Sequence, residues 1–220
     1  MTMKDQITIS KPMTWYEIKS HIEKGDISIF NRTPDVAEKY HKHKENVTRK
    51  GSNLMEFMVK YKLHWDLNEL QKLSEKYPTD KDKIDAILSD KSLYTLIVNN
   101  FPYNFDHNVY HLCLWSKIYI PLYIDVEKDD SRDYYSKDPA CQLKIQKFWQ
   151  MNLAELISEC GGSKNVDYCW FINYPNLQSI RQISHIHILI YIDKHNVPHA
   201  DELITKLLLK DGGDTSVVVA

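Results

Sequence analysis

The segment SHIHILIYI, residues 184–192, restricts the possible fold more than any other stretch of the chain. Because side chains alternate between the two faces of a β-strand, one face of this segment carries isoleucine alone and the other carries two histidines. The isoleucine face consists of Ile186, Ile188, Ile190 and Ile192. The opposite face consists of His185, His187, Leu189 and Tyr191. The unbroken isoleucine face predicts a strand inside a sheet that packs beneath helices.

The residue pattern changes from helical to extended near residue 91. Between 14 and 90, apolar residues recur at helical spacing, and Thr14, Thr33 and Thr79 stand where helix N-caps are expected. Short β-branched and aromatic runs then predict strands at 93–98, 167–173 and 183–192, with one or two more at 109–124. One long helix is predicted at 138–162 and a closing helix at 198–210. This order predicts an α+β fold, a helical N-terminal half packed on a mainly antiparallel sheet with one long helix inserted between strands.

The chain is expected to form one α+β domain over 14–210, with a helical layer at 14–90 and a sheet layer at 91–210. Residues 1–13 have the polar composition of a flexible N-terminal arm, and 211–220 are expected to form a C-terminal tail. The segment 125–137 carries eight charges in thirteen residues, which predicts a solvated loop that could act as a lid.

Composition excludes several classes of function. The formal net charge of −2 argues against a nucleic-acid partner or a polybasic contact with a membrane. No apolar run approaches the roughly 18 to 20 residues that cross a bilayer, and the N-terminus lacks the apolar core of a signal peptide. Four cysteines in a chain of this length, with no C-x-x-C pair, are not a disulfide framework, so we expect a cytoplasmic protein.

A second strand is predicted to complete a polar surface beside the histidines. In the run YHLCLWS, His111, Cys113 and Trp115 share one face. If this strand neighbours the histidine strand, the two faces meet and form the floor of a ligand pocket. The residues proposed for that floor are His111, Trp115, His185 and His187, with Cys113 as a possible addition.

The loop that leads into the histidine strand is rich in hydrogen-bonding side chains. Asn173, Gln178, Ser179 and Arg181 are the predicted ligand-binding residues of this loop. Arg181 is one of four arginines in the chain, and its guanidinium could hold a phosphate or carboxylate through paired hydrogen bonds. The alternative to a ligand pocket is that the histidines are buried, hydrogen-bonded residues that contact no ligand. His41 and His43 lie among lysines and are expected to be solvated.

Three stretches of the chain together resemble a known family. They are NRTPDVAEKYHKHKENV, FPYNFDHNVYHLCLWSK and WFINYPNLQSIRQISHIHILI, and the likeness covers about residues 14–192. Its most specific parts are Pro102 and Tyr103 followed by His111 and Trp115, and the N-x-P-x-L-Q-S run followed by H-x-H. These features are similar to the fungal N-acetylglucosamine-induced protein 1 family, a domain of unknown function. The resemblance implies a cytoplasmic protein linked to amino-sugar response or metabolism, and it implies no reaction.

A weaker resemblance is to the histidine-triad nucleotide hydrolases and transferases, in which a strand bears alternating histidines and one histidine attacks phosphorus. The third histidine of that pattern falls at Leu189, which can neither donate nor accept a hydrogen bond. Under this resemblance His185 or His187 would be catalytic, so whether the protein is an enzyme stays open.

The sequence therefore leaves several functions open. The first is binding of an amino sugar, a sugar phosphate or a nucleotide sugar in a pocket that includes Tyr103. The others are histidine-dependent phosphoryl or nucleotidyl transfer, a metal site built from His111, His185 and His187 or with Cys113, and a partner-binding scaffold. Neither a cofactor nor a metal required for folding is predicted, and the oligomeric state stays open.

Overall fold

The computed structural model describes residues 11–124 and 135–210. Most of the predicted N-terminal arm, most of the charged loop proposed as a lid, and the C-terminal tail lie outside the described residues. The single-domain organisation over 14–210 stays a prediction.

The N-terminal half is helical, as predicted. Its helices are α1 (Trp15–Lys24), α2 (Pro34–Arg49), α3 (Leu54–Phe57), α4 (Leu67–Lys76) and α5 (Asp80–Ala86), with one π-helical turn, Met58–Lys62, continuing α3. Thr14, Thr33 and Thr79 cap α1, α2 and α5 through their side chains, which confirms the predicted helix starts.

The second half supplies a four-stranded sheet. Its strands are β1 (Tyr94–Val98), β2 (Val109–Ser116), β3 (Val166–Phe171) and β4 (His185–Ile192), in the order β1-β2-β4-β3. Every pairing is antiparallel, which confirms the predicted α+β class. Helices α6 (Pro139–Asn152) and α7 (Ala154–Glu159) lie between β2 and β3 in sequence, and α8 (Ala200–Lys210) follows β4.

One element prediction was wrong and another was narrowed. The long helix predicted at 138–162 is two helices, α6 and α7, which are separated at Leu153, where the backbone angles (φ −94°, ψ −4°) depart from ideal helical values. Of the one or two strands predicted at 109–124, the structure has one, which ends at Ser116. Beyond it, the backbone amides of Ile118 and Ile120 donate to serine side chains, and Pro121 has no amide hydrogen to donate to a strand neighbour.

The isoleucine face of β4 packs beneath helices, as predicted. Ile186, Ile188, Ile190 and Ile192 are fully buried. They share one apolar cluster with side chains of α6, α7 and α8 and with the end of α5. The same cluster contains alternate residues of β1 and β2, so this side of the sheet holds the main core.

The N-terminal helices cover the opposite face of the sheet in two separate patches. Ile18 and Ile22 of α1 pack in one cluster with Phe171 and Leu189. Val59 of the π-helical turn belongs to a second cluster, on the β1 side of the sheet. The histidines of β4 lie between the two clusters, which places them where the covering layer is incomplete. No helix within 11–124 or 135–210 is long and apolar enough to cross a membrane.

Candidate functional site

Strands β2 and β4 are direct neighbours, as the pocket prediction required. Cys113 pairs with His187 and Trp115 pairs with His185 in the antiparallel register. Directly paired residues project from the same face of a sheet, so the His111/Cys113/Trp115 face and the histidine face form one surface. His111, His185 and His187 are all buried on it.

A chain of hydrogen bonds joins the histidines of the two strands. His111 Nε2 lies 2.8 Å from His187 Nδ1, and Cys113 Sγ lies 3.5 Å from the same His187 nitrogen. The backbone N–H of Tyr103 donates to His111 Nδ1 at 3.4 Å. That donor favours the tautomer with the proton on Nε2, which lies 2.8 Å from His187 Nδ1 and 3.1 Å from the side-chain amide of Asn99.

Asn173 connects the loop after β3 to this chain. Its side-chain amide lies 3.1 Å from His187 Nε2, and its Nδ2 donates to the Tyr103 hydroxyl at 3.2 Å. Gln178 donates to the backbone carbonyl of Asn173 at 2.7 Å. Asn173 therefore contacts the histidine site directly, whereas Gln178 holds the backbone of Asn173 in place.

Burial keeps the titratable groups of this surface uncharged. It lowers the pKa of His111 to about 3 and holds that of His187 well below its ordinary value, and the nearby Arg32 charge adds to both shifts. Burial also raises the pKa of the Cys113 thiol to about 12. At neutral pH the imidazoles therefore present lone pairs, and the cysteine is a thiol.

His185 stacks against Trp115. Their ring centroids are 4.2 Å apart with 24° between the planes. Burial lowers the pKa of His185 to about 4, although the backbone of Ile183 offsets part of that shift. Among the described residues, His185 Nδ1 has no partner at hydrogen-bonding geometry.

A cavity of about 390 Å³ lies above this surface and beneath α2 and α3. That volume suits a small metabolite. Its aromatic walls include Tyr40, Phe57, Phe101, Tyr103 and Trp115. Its polar side chains are those of Arg32, His43, Lys62, Asn99, Asn100, Asn173, Ser179, His185 and His187. No carboxylate is found among the described residues that line it.

Sequence reasoning missed two cations at this cavity, Arg32 and Lys62, and Arg32 is the better placed of them. Arg32 has several contacts in the cavity wall. Its Nε donates to the Phe101 carbonyl at 3.0 Å, and its guanidinium lies 4.4 Å from the Tyr40 ring centroid and 5.4 Å from that of Tyr103. The two terminal nitrogens of this guanidinium make no hydrogen bond within the described parts of the chain. One feature of the sequence could have identified Arg32 as a site residue. It lies within NRTPDVAEKYHKHKENV, one of the segments on which the family resemblance rests.

The predicted site residues divide between the cavity and its surroundings. Tyr103, Trp115, Asn173, Ser179, His185 and His187 line the cavity. His111 lies behind His187 and contacts it, outside the lining. Arg181 is exposed and does not line the cavity, so its predicted contact with a ligand there has no geometric support. His43, expected to be solvated, is half-buried, and its ring packs against Phe57 and Phe101 in the cavity wall.

The amino-acid sequence of this chain is similar to known proteins over most of its length. Residues 14–191 match the model of the family described as "Protein of unknown function (DUF3605)". The chain is 29% identical over 195 residues to N-acetylglucosamine-induced protein 1 of Candida albicans, a match that spans 86% of this chain and 72% of that protein. It is 31% identical over 180 residues to uncharacterized protein YPL067C of Saccharomyces cerevisiae, spanning 82% of this chain and 79% of that one.

One solved structure, the crystal structure of HTC1, has a similar fold. It superposes on this chain with a TM-score of 0.57 at 26% sequence identity. The match covers 90% of this chain and 96% of that chain, so it includes the sheet as well as most of the helices around it.

Proposed function

This chain belongs to the DUF3605 family, whose description assigns no activity, and we propose that it binds a small anionic metabolite in the cavity between its N-terminal helices and its sheet. An amino-sugar phosphate or a nucleotide sugar is the ligand class that we favour. The name of the Candida albicans relative, which refers to induction by N-acetylglucosamine, supports an amino sugar.

One observation carries the proposal. Four buried side-chain polar atoms lack a hydrogen-bond partner among the described residues, and three of them belong to residues that line this cavity. The three are Tyr40 Oη, Trp115 Nε1 and His185 Nδ1. A buried polar atom without a partner costs about 1–3 kcal/mol, so such atoms rarely cluster without a reason. Because each of these atoms is itself buried, a bound molecule would satisfy them once the three side chains turn toward it.

The charge of the cavity supports an anion. Arg32 and Lys62 line it, and no described lining residue carries a carboxylate to neutralise them. The guanidinium of Arg32 is already held by the Phe101 carbonyl and by the Tyr40 ring, so little side-chain freedom is lost when it binds a ligand. Phosphate suits this fork of donors, because it accepts paired hydrogen bonds.

The direct test is a binding screen with three matched ligand sets. Thermal shift and calorimetry should be run with N-acetylglucosamine, with glucosamine 6-phosphate and with UDP-N-acetylglucosamine. We expect stabilisation by one or both phosphorylated compounds and little by the neutral sugar. No binding by any of the three would contradict the proposed ligand class, and equal binding of the neutral sugar would contradict the role of charge.

Trp115→Phe is expected to weaken binding of the ligand found in that screen by about two- to tenfold, the size of one lost neutral hydrogen bond. The phenyl ring keeps an aromatic face against His185, while three ring atoms, the indole nitrogen with its hydrogen among them, are removed. Calorimetric titration of both proteins measures the change.

Trp149→Phe is the matched control. Trp149 Nε1 is also buried without a described partner, but its ring lies in the main core on the other side of the sheet. It should lose stability and keep the affinity of the wild-type protein. Equal losses of affinity in both variants would mean that the effect comes from destabilisation.

A second candidate function is histidine-dependent phosphoryl or nucleotidyl transfer. The observation that favours it is the position of His185, a neutral imidazole in the cavity wall with an unpartnered nitrogen. In such a reaction the imidazole nitrogen would bond to phosphorus while the bond to the leaving oxygen breaks, and water or a hydroxyl would then displace the histidine. Leu189, at the third position of the pattern, is fully buried in the α1 cluster and contributes no polar group.

His185→Asn separates this candidate from simple binding. If the protein transfers a nucleotidyl group from UDP-N-acetylglucosamine, turnover should fall by about 10² to 10⁴-fold while affinity changes little. Product formation can be followed by phosphorus NMR. Absence of product with the wild-type protein would leave binding as the function, and unchanged turnover in the variant would exclude His185 as the nucleophile.

A further inference from the structure

We propose that His111, Cys113 and His187 form a three-ligand site for a transition-metal ion of the zinc class at the floor of the cavity. Their ligand atoms all lie within 4.8 Å of one another, and all three residues are buried. This site is independent of the anionic ligand proposed above, because its donors are different atoms and it can be tested with metal alone.

The distances are close to those of a bound ion. Zinc lies about 2.3 Å from sulfur and about 2.0–2.1 Å from imidazole nitrogen, so in a tetrahedral shell the S···N separation is about 3.6 Å and the N···N separation about 3.3 Å. Here Cys113 Sγ lies 3.5 Å from His187 Nδ1, and His111 Nε2 lies 2.8 Å from the same atom. Of these two separations only that of the histidine pair must lengthen, by about 0.5 Å, and the Cys113 and His111 ligand atoms lie within 4.8 Å of each other.

The scaffold holds the three donors on rigid backbone. Cys113 and His187 are directly paired across β2 and β4, and His111 stands two residues before Cys113 on the same face. Both strands are central in the four-stranded sheet. Ligands placed on strands keep their positions better than ligands on loops, so binding needs rotation of side chains and little movement of the backbone.

Metal binding would require changes in the hydrogen bonds and proton positions around the site. Asn173 Nδ2 lies 3.1 Å from the second nitrogen of His187. To accept the proton of that nitrogen, a common arrangement around metal-bound histidine, the Asn173 amide must rotate to present its oxygen and give up its hydrogen bond to Tyr103. His111 would move its proton from Nε2 to Nδ1, which now faces the Tyr103 N–H at 3.4 Å. The Tyr103 amide must therefore turn away, and Cys113 must release its proton to solvent.

An ion at this site would have one open position. Cys113 and His187 line the cavity and His111 lies behind them, so the fourth position faces the cavity. Three protein ligands with one open position are typical of reactive zinc sites, whereas structural zinc has four protein ligands. Two imidazoles and a thiolate suit zinc and its analogue cobalt(II), and they are poor ligands for magnesium or calcium.

The test is titration of the metal-free full-length protein with Co²⁺, followed by competition with Zn²⁺. We expect one equivalent of Co²⁺ to produce a thiolate-to-cobalt charge-transfer band in the near ultraviolet, which Zn²⁺ then removes. Cys113→Ser should abolish that band, and His111→Gln should weaken Co²⁺ binding by at least about tenfold. The Tyr103 amide resonance should shift on addition of Zn²⁺.

Cys169→Ser is the matched control. Cys169 lies on the same face of the sheet, on β3 opposite Leu189, and outside the three-residue cluster. It should keep the cobalt band, and circular dichroism should show that all variants are folded. No band in the wild-type protein, or a band that persists in folded Cys113→Ser, would overturn the metal site. Either result leaves the proposed binding of phosphorylated sugars untouched when that binding is measured in the presence of a chelator.

Discussion

Arg32→Ala is expected to weaken binding of glucosamine 6-phosphate by roughly ten- to a hundredfold. A hydrogen bond to a charged group contributes about 1.5–3 kcal/mol, and each 1.4 kcal/mol corresponds to a factor of about ten in affinity. Arg32 is the guanidinium that the structure places in the cavity wall, where Phe101 and Tyr40 already fix its orientation. Calorimetric titration of the wild-type and variant proteins measures the loss.

Arg32→Lys distinguishes the contribution of the paired guanidinium hydrogen bonds to affinity from that of the positive charge. Lysine keeps the positive charge and loses both the paired hydrogen bonds and the flat stack on Tyr40. We therefore expect its affinity to lie between those of the wild-type protein and Arg32→Ala. Full recovery in Arg32→Lys would show that only the electrostatic potential of the cavity matters.

Arg181→Ala is the matched control, because it removes the same side chain from an exposed position outside the cavity. Its affinity should stay within about twofold of the wild-type value. If Arg181→Ala instead weakens binding as much as Arg32→Ala is expected to, the ligand reaches the loop before β4, and the cavity is not the whole site.

The two arginines show how far a sequence can locate a site. Alternation was enough to assign His111 and Trp115 to one face of β2 and His185 and His187 to one face of β4, because the faces of a strand follow from its period of two. That the two strands are neighbours was an assumption, which the structure confirms. Arg32 could not be placed in that way. It reaches the cavity because α2 packs across the loop after β1, and no local pattern encodes that long-range contact.

The helices show the same contrast between features that local sequence determines and features that it does not. Capping side chains act within three residues, so the starts of α1, α2 and α5 were predicted correctly from sequence. The break between α6 and α7 at Leu153 was missed. Leu153 is buried in a core that includes β-strands distant in the sequence, and helical periodicity alone does not reveal a change of backbone angles at such a residue.

The histidines look like core residues in sequence, and the structure explains the ambiguity. They are buried like their isoleucine neighbours, yet they lie where the α1 cluster and the cluster around Val59 leave a gap. Burial removes their charge, and the gap lets two of them line the cavity. A buried histidine and a functional histidine are therefore compatible at this site.

Ile188→Ala is expected to lower the free energy of unfolding by about 2–5 kcal/mol, the range for removing a large aliphatic side chain from a well-packed core. Ile188 is fully buried in the cluster formed with α6, α7 and α8, and it pairs with Leu112 and Trp170 on the two neighbouring strands. A cavity left there cannot collapse easily, because the sheet and the helices hold it on both sides. Urea denaturation followed by circular dichroism measures the loss.

Affinity provides the second half of this test, since Ile188 and His187 point to opposite faces of the same strand. Below its unfolding transition, Ile188→Ala should bind glucosamine 6-phosphate as tightly as the wild-type protein. Ile188→Val, which removes a single methyl group, should cost about 0.5–1.5 kcal/mol and serves as the graded control. Roughly tenfold weaker binding by a folded Ile188→Ala protein would contradict this expectation. It would show that packing on the core face of β4 determines the geometry of the cavity on its other face, so that the two faces are energetically coupled.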